Sequence, residues 1–462
     1  MKKFRLGEPF EIWGHWWLPE KPQNRVAGKL TSHLGNLELK LLGRFEGVDI
    51  NARNTVLPVI HGVGDATNFT LWRSVQESPS FKAPGSLEQT FSKMRIVAGG
   101  HFNTEADTLF SGVTFEAPQI GPWLQKLPVK RKMQEANVSY ELSQFRTCLF
   151  KSEINGNTIE FGANIQTRDE QYASYGFDVM PVASIDFASP KICSESMEHV
   201  EALADLLTIL VGEDVEQRAI RFRISGENSS FPFIYEFRPP KDVKLIDEHD
   251  VLVPRRLLDG SLKAVFEKWT EDRKRLSDSV ALLCDVLDRE RPASHVQLLL
   301  LAQSLEAFHR NVIGGEYLSK EDYEPARKAL EDAIPDFIRR GHRESLKAKL
   351  RYGYQLSLRK RLMQLFEPMA DTVFSAFDLN MKNFVGDLVD ARNDFTHWEQ
   401  EREKERPNGA HLANLLSNAR ALTLLVLLRH LGVDESNVAQ RMLASPWRHL
   451  RRYQNIGEVI RG

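Results

Sequence analysis

"MKNFVGDLVDARNDFTH", residues 381–397, decides how the second half of this chain is read. At 100° per residue Phe384, Val385, Leu388 and Val389 form one apolar stripe, the pattern of an amphipathic helix. Arg392 falls in the middle of that stripe, four residues beyond Leu388 and seven beyond Val385. A guanidinium facing a core is costly to bury without a partner, so this face either meets a carboxylate or borders a cleft. Asp387, Asp390 and Asp394 are near enough in sequence to serve as that carboxylate. Asn393 and His397, four residues apart, share a different face to one side of the arginine.

The same helical period runs outward in both directions. "GSLKAVFEKWTEDRKRLSDSVALLCDVLD" (260–288), "SHVQLLLLAQSLEAFHRNVI" (294–313), "KEDYEPARKALEDAI" (320–334) and "GAHLANLLSNARALTLLVLLRHL" (409–431) all carry apolar residues at i, i+3 and i+4. Five or more helices on short links predict an all-α bundle over 250–462. Upstream the period changes to two. "VAGKLTSH" (26–33) and "NLELKLLGRFEG" (36–47) alternate apolar and polar residues, and strand-like runs continue to "AIRFRISGE" (219–227), punctuated by Gly, Asn, Asp and Pro. One helix is expected within this half, "SMEHVEALADLLTILVG" (196–212). Residues 1–245 therefore read as a β-rich half, sandwich- or barrel-like, with a subdivision expected near 126–136. The Pro239–Pro240 pair makes a plausible boundary before the bundle, since prolines interrupt both kinds of regular element. The fold class is α+β and multidomain.

At 462 residues the chain exceeds one compact core. Hydrophobic residues are 42% and charged residues 27%, ordinary for a soluble protein. "MKKFRLGEPFEIW" has no apolar segment behind its lysines, so no signal peptide is expected, and the apolar run "ALTLLVLL" (421–428) is too short to span a bilayer. Cys148, Cys193 and Cys284 are scattered without a CxxC pair, which fits a reducing cytoplasm and argues against a disulfide framework or a zinc site. No cofactor or metal is expected. "HGVGDATN" (61–68) lacks the terminal Gly-Lys-Ser/Thr of a phosphate loop, and no G-x-S-x-G is present for a serine hydrolase. His61 and His101 beside glycines read either as ligands in a pocket or, more simply, as structural histidines in turns.

The net charge of −2 hides a local excess. Between Pro335 and Phe366 stand Arg339, Arg340, Arg343, Lys347, Lys349, Arg351, Arg359, Lys360 and Arg361 against only Asp336 and Glu344. Residues 441–462 add five arginines against one glutamate. With Tyr352, Tyr354 and Trp447 interleaved, this strip is either a solvated helix face or a surface for phosphates and stacked bases; Arg339, Arg340, Arg343, Lys347, Arg359, Lys360 and Arg361 are its RNA-binding candidates.

Arg392, Asn393 and His397 together suit one chemistry in particular. A guanidinium matches a phosphate, an imidazole transfers protons near neutrality, and an amide holds a substrate oxygen or orients the ring. The nucleophile is missing, but RNA carries its own in the 2′-OH. Attack by that hydroxyl needs a group to stabilise the phosphorane and groups to move protons, and leaves a 2′,3′-cyclic phosphate without a metal. One histidine per chain is short of the base and acid such cleavage uses, so a homodimer with a composite site is expected.

These residues carry a resemblance. "RNDFTH" (392–397) is similar to the R-(polar)-x-x-x-H signature of HEPN-domain ribonucleases, and "LLLLAQSLEAFHRNV" (298–312) resembles the helix upstream of it in the ApeA-like HEPN family of bacterial anti-phage defence proteins. "WGHWWLPEKPQNRVAGKL" (13–30), "PVIHGVG" (58–64), "FTLW" (69–72), "AGGHF" (98–102) and "FEAPQIGPWL" (115–124) resemble that family's N-terminal domain. The resemblance implies a metal-independent endoribonuclease, dimeric and cytoplasmic, that cuts RNA in abortive infection, with catalytic Arg392, Asn393 and His397. It also implies a supporting place for Glu306 and His309, and an N-terminal half that senses a phage-derived trigger or restrains the nuclease. Glu306 has two readings, a partner for Arg392 or a plain helix salt bridge. Two other functions stay open: a catalytically silent HEPN-type module that binds RNA or protein, and a ligand-binding or carbohydrate-active β half on a helical scaffold.

Overall fold

The computed structural model describes residues 4, 6, 8–49, 54–77, 80–82, 86–125, 129–134, 137–142, 146–170, 174–227, 229–237, 246–288, 292–397 and 409–444. The chain divides into two compact units, Met1–Glu267 and Lys268–Gly462. The Pro239–Pro240 pair, Trp447 and all but the first four residues of the arginine-rich 441–462 stretch lie outside the described residues.

The first unit is β-rich. Its strands are β1 (Phe10–Trp17), β2 (Val26–His33), β3 (Asn36–Leu42), β4 (Val56–Gly64), β5 (Thr67–Gln76), β6 (Ser80–Lys82), β7 (Ser86–Ser92), β8 (Arg95–Ala98) and β9 (Phe110–Glu116). After the short helix α1 (Ile120–Leu124) come β10 (Val129–Gln134), β11 (Asn137–Leu142), β12 (Arg146–Ile154), β13 (Asn157–Glu170) and β14 (Ser174–Lys191). Helix α2 (Cys193–Val211) precedes β15 (Ile220–Arg223) and β16 (Ser230–Ile234).

Six strands close a barrel in the order β5-β4-β1-β2-β3-β7, with β7 returning to β5. Closure depends on β5. Its first part pairs with β8 through Phe69–Trp72, its end pairs with β7 through Val75 and Gln76, and Arg73 between them has φ 56°. A left-handed residue there kinks the strand, as a bulge does, and lets it leave one neighbour for another. Alternation explains the filling: Ile12, Trp16, Leu30, Leu39, Leu41, Ile60 and Phe91 are buried. Gly62 is required where it stands, because a Cβ there would come within 2.1 Å of the Trp16 ring. Beyond β8 the sheet runs on outside the barrel as β16-β15-β9-β14-β13-β12, and β10-β11 form a separate two-stranded ribbon.

His61 and His101 stack with ring centroids 4.8 Å apart, and Trp17 packs edge-on against both. His61 Nε2 is bonded to the Phe102 carbonyl (3.1 Å) and His101 Nε2 to that of Gly62 (2.9 Å). Each ring thus ties the loop after β8 to β4, the structural role of the two readings. Burial lowers the His61 pKa, with neighbouring His101 adding to the shift and the Phe102 bond opposing it.

Helix α3 (Leu262–Leu287) spans the division between the units. The second unit continues with α4 (Ser294–Phe308), α5 (Lys320–Asp332), α6 (Arg340–Leu350), α7 (Leu358–Phe366), α8 (Met381–His397), α9 (Gly409–His430) and α10 (Glu435–Leu443). Its centre is α4 packed against α7, α8 and α9. Leu298, Leu301, Leu305 and Phe308 of α4 are buried with Leu362, Leu365 and Phe366 of α7 and with the Phe384, Val385 and Leu388 stripe of α8. All of Ala421–Leu428 on α9 is buried. This helix is long and apolar enough to cross a membrane by length and composition, yet 67% of that window is inside the unit. Between α4 and α7 the chain leaves the bundle as the α5–α6 hairpin, where Tyr323 is the one buried residue of the two helices.

Candidate functional site: one end of helix α8 and the turn that supports it

Arg392, Asn393 and His397 occupy the last turns of α8. Leu388, Ala391 and Phe395 hold this part of the helix to the core, and Phe395 packs on the His295 ring of α4 at 5.8 Å. Arg392 is half-buried and His397 is exposed. Arg392 Nη1 donates to Asn393 Oδ1 at 3.1 Å. The amide therefore both neutralises part of the burial cost of the guanidinium and fixes its direction. One of the five N–H groups of the guanidinium is used in this way, which leaves donors for an incoming oxyanion. Thr396 Oγ1 donates to the Arg392 carbonyl (2.7 Å), tightening the same turn. Asp390 is engaged by Arg359 of α7 (3.4 Å), and Asp387 lies 4.0 Å from His411 of α9.

Glu306 accepts from Arg310 at 2.8 Å, so of its two readings the plain helix salt bridge is what forms. Arg310 also reaches Gln355 (3.0 Å). After Phe308 the chain makes one π-helical turn, His309–Ile313, a distortion that re-aims side chains. His309 is fully buried. Its Nδ1 accepts from Arg361 Nη1 (3.0 Å), which leaves Nε2 to donate to Gln364 Oε1 (3.0 Å). Burial lowers the His309 pKa and Arg361 adds to this, while the Gln364 bond opposes it. A neutral ring with both nitrogens engaged is a brace joining α4 to α7.

Arg361 must be removed from the surface strip. It is only 3% exposed, and its Nε donates to the Leu356 carbonyl (3.1 Å), so its guanidinium is spent inside the unit. Burial lowers its pKa as well. The signal was legible: Arg361 lies three residues beyond Leu358 and four before Leu365, in line with an apolar stripe, as Arg392 does. Arg339, Arg340, Arg359 and Lys360 are exposed, and Arg343 and Lys347 are half-exposed.

One ionic centre had no local signal. Asp272 on α3 is 5% exposed and meets Lys268 (2.8 Å), Arg275 (3.1 Å) and His430 of α9 (2.8 Å). The Lys268 bond does most to hold its carboxyl down at about 2, burial opposes, and the His430 bond assists. Arg275 also donates to the carbonyls of Asn311 and Val312, binding α3 to the π-helical turn. Among the described residues no group of three or more His, Cys, Asp and Glu is arranged to hold a metal.

Two family models match the chain. The ApeA N-terminal domain 1 matches residues 11–269, and the Apea-like HEPN domain matches residues 299–437. The chain belongs to the ApeA-like HEPN family. No curated protein and no solved structure matches it. As an ApeA-like HEPN protein it is, in general terms, a HEPN-type nuclease of anti-phage defence. HEPN domains typically act on RNA and often dimerise. The HEPN match runs from within α4 through the α5–α6 hairpin, α7, α8 and α9, and so includes Glu306, His309, Arg361, Arg392, Asn393 and His397.

Proposed function

We propose that this ApeA-like HEPN protein is a metal-independent endoribonuclease that cuts RNA during phage infection and shuts down the host. The observation that carries the reading is the tethered Arg392 beside an exposed His397 at one end of α8. In this reading Arg392 grips the scissile phosphate and stabilises the phosphorane. Asn393 aligns the guanidinium, and His397 moves the proton of the attacking 2′-OH or of the leaving 5′-oxygen. Each chain contributes one His397, so base and acid come from two copies of α8 facing each other in a homodimer. Arg339, Arg340, Arg343, Lys347, Arg359 and Lys360 attract the RNA backbone. The β-rich half senses a phage-derived trigger or restrains the nuclease in the cytoplasm of the resting cell.

Purified protein incubated with RNA in EDTA, with trigger supplied from infected cells, tests the chemistry. Cleavage that leaves 2′,3′-cyclic phosphate ends and is abolished in His397→Ala is the expected result. Unchanged cleavage by the variant overturns the assignment of catalysis to His397, and none by the wild type with trigger present returns the chain to the silent-module reading. Restraint by the β half predicts that residues 250–462 expressed alone are more toxic than the full chain; equal toxicity contradicts it.

A further inference from the structure

We propose that the cavity at the foot of the α5–α6 hairpin holds one base of single-stranded RNA while the basic stripe of α6 carries the adjoining phosphates, an inference that rests on the RNA reading above. The cavity is an open one of about 410 Å³, walled by Tyr323, Tyr352 and Tyr354 with Lys320, Arg327, Arg351 and the single carboxylate of Glu324. That volume falls in the range of small-molecule sites.

The site is built rather than accidental. Tyr323 is buried, donates its hydroxyl to the Leu350 carbonyl (2.9 Å), and sits 5.9 Å from the Tyr354 ring. The hairpin is tied at its base by the Glu316–Gln355 bridge and by the Tyr317 amide on the Tyr354 carbonyl (2.8 Å). These rings are therefore set by backbone contacts at both ends. Tyr352, by contrast, is 64% exposed, an aromatic face left to water at the cavity mouth.

Charge selects the occupant. Arg327 is held by Glu324 and Glu331, and Lys320 also acts on the Glu324 carboxylate, whereas Arg351 forms no ion pair among the described residues. The vacant positive charge beside an open aromatic face suits a base with its phosphate, because any base offers a π-face for stacking. A strand fits better than a free nucleotide. Arg340, Arg343, Lys347 and Arg351 recur on successive turns, within about 80° of one another on the helix, and lead into the cavity. Glu344 lies in the same sector and Arg343 is shared with Asp336 (3.1 Å), so the free cations are those nearest the helix ends and the cavity.

The test is binding by the full chain carrying His397→Ala, so that cleavage does not enter, read by anisotropy of a fluorescent single-stranded RNA oligonucleotide. Arg351→Ala and Tyr352→Ala, both at exposed positions, are expected to weaken binding about tenfold each, the scale of one lost stacked base or phosphate contact. Tyr352→Phe is expected to bind as the parent, since the ring face and not the hydroxyl is used. Unchanged affinity in both alanine variants overturns the proposal. AMP displacing the RNA from the same site at comparable concentration overturns the strand and leaves a mononucleotide site. Poly-glutamate competing as well as RNA overturns it in favour of an acidic protein partner. Because the readout is binding, RNA bound normally by a wild-type chain that never cuts it removes the nuclease reading while this site stands.

Discussion

Two arginines standing in apolar stripes have opposite fates. Arg361 is buried against His309 and Leu356, whereas Arg392 stops halfway, held by Asn393 with donors to spare. Both anomalies were visible in the one-dimensional pattern; which of them faces solvent was not, because that depends on how α4, α7 and α8 pack. Arg361→Ala is predicted to cost about 2 kcal/mol in urea unfolding, since it orphans a buried imidazole nitrogen, and to leave RNA affinity of the folded protein unchanged. Arg392→Lys is predicted to cut RNA cleavage at least tenfold with little loss of stability, because an ammonium cannot present the planar donor pair. Asp272 supplies a pH dependence. Its carboxyl is held at about 2 in the fold against an ordinary 3.8, so its contribution is fully present above about pH 4 and is lost as pH falls through 2. Asp272→Asn is predicted to lower stability at neutral pH by roughly 2 kcal/mol and to flatten the acid limb of the unfolding curve below pH 4.

Among the elements, the strands β2, β3, β5, β8, β9, β13, β14 and β15 follow directly from alternation in the sequence, and α2, α3, α4, α8 and α9 from the helical period. Barrel closure does not, because it turns on a left-handed Arg73 and on a long-range β5–β7 pairing that no local pattern encodes. The π-helical turn at His309 was equally hidden: the imidazole it carries bonds Arg361 and Gln364, more than fifty residues further along the chain. The α5–α6 hairpin depends on a close approach. A Cβ on Gly353 would lie 2.1 Å from the Tyr323 hydroxyl, and the ring is fixed at its other contacts. Gly353→Ala is predicted to speed hydrogen exchange across residues 320–350 while α8 and α9 exchange as before, and to weaken RNA binding along with Tyr352→Ala.

For the whole molecule, the change of period from two to 3.6 was enough to expect a β-rich half followed by a helical one. The units divide at Glu267, inside α3, where a continuous helix gives no compositional break. The candidate triad was legible because its three residues lie within six positions; the His309–Arg361–Gln364 brace and the Asp272 centre join residues up to 158 positions apart and were not. In the proposed reading a single chain holds only half a catalytic site. Wild-type protein exchanged with an equal amount of His397→Ala before assay in EDTA measures this directly. If each cut needs two copies of His397, only wild-type homodimers act, and activity per total protein falls to about a quarter of the unmixed wild type. A fall to one half, the value for chains that cut independently, contradicts it.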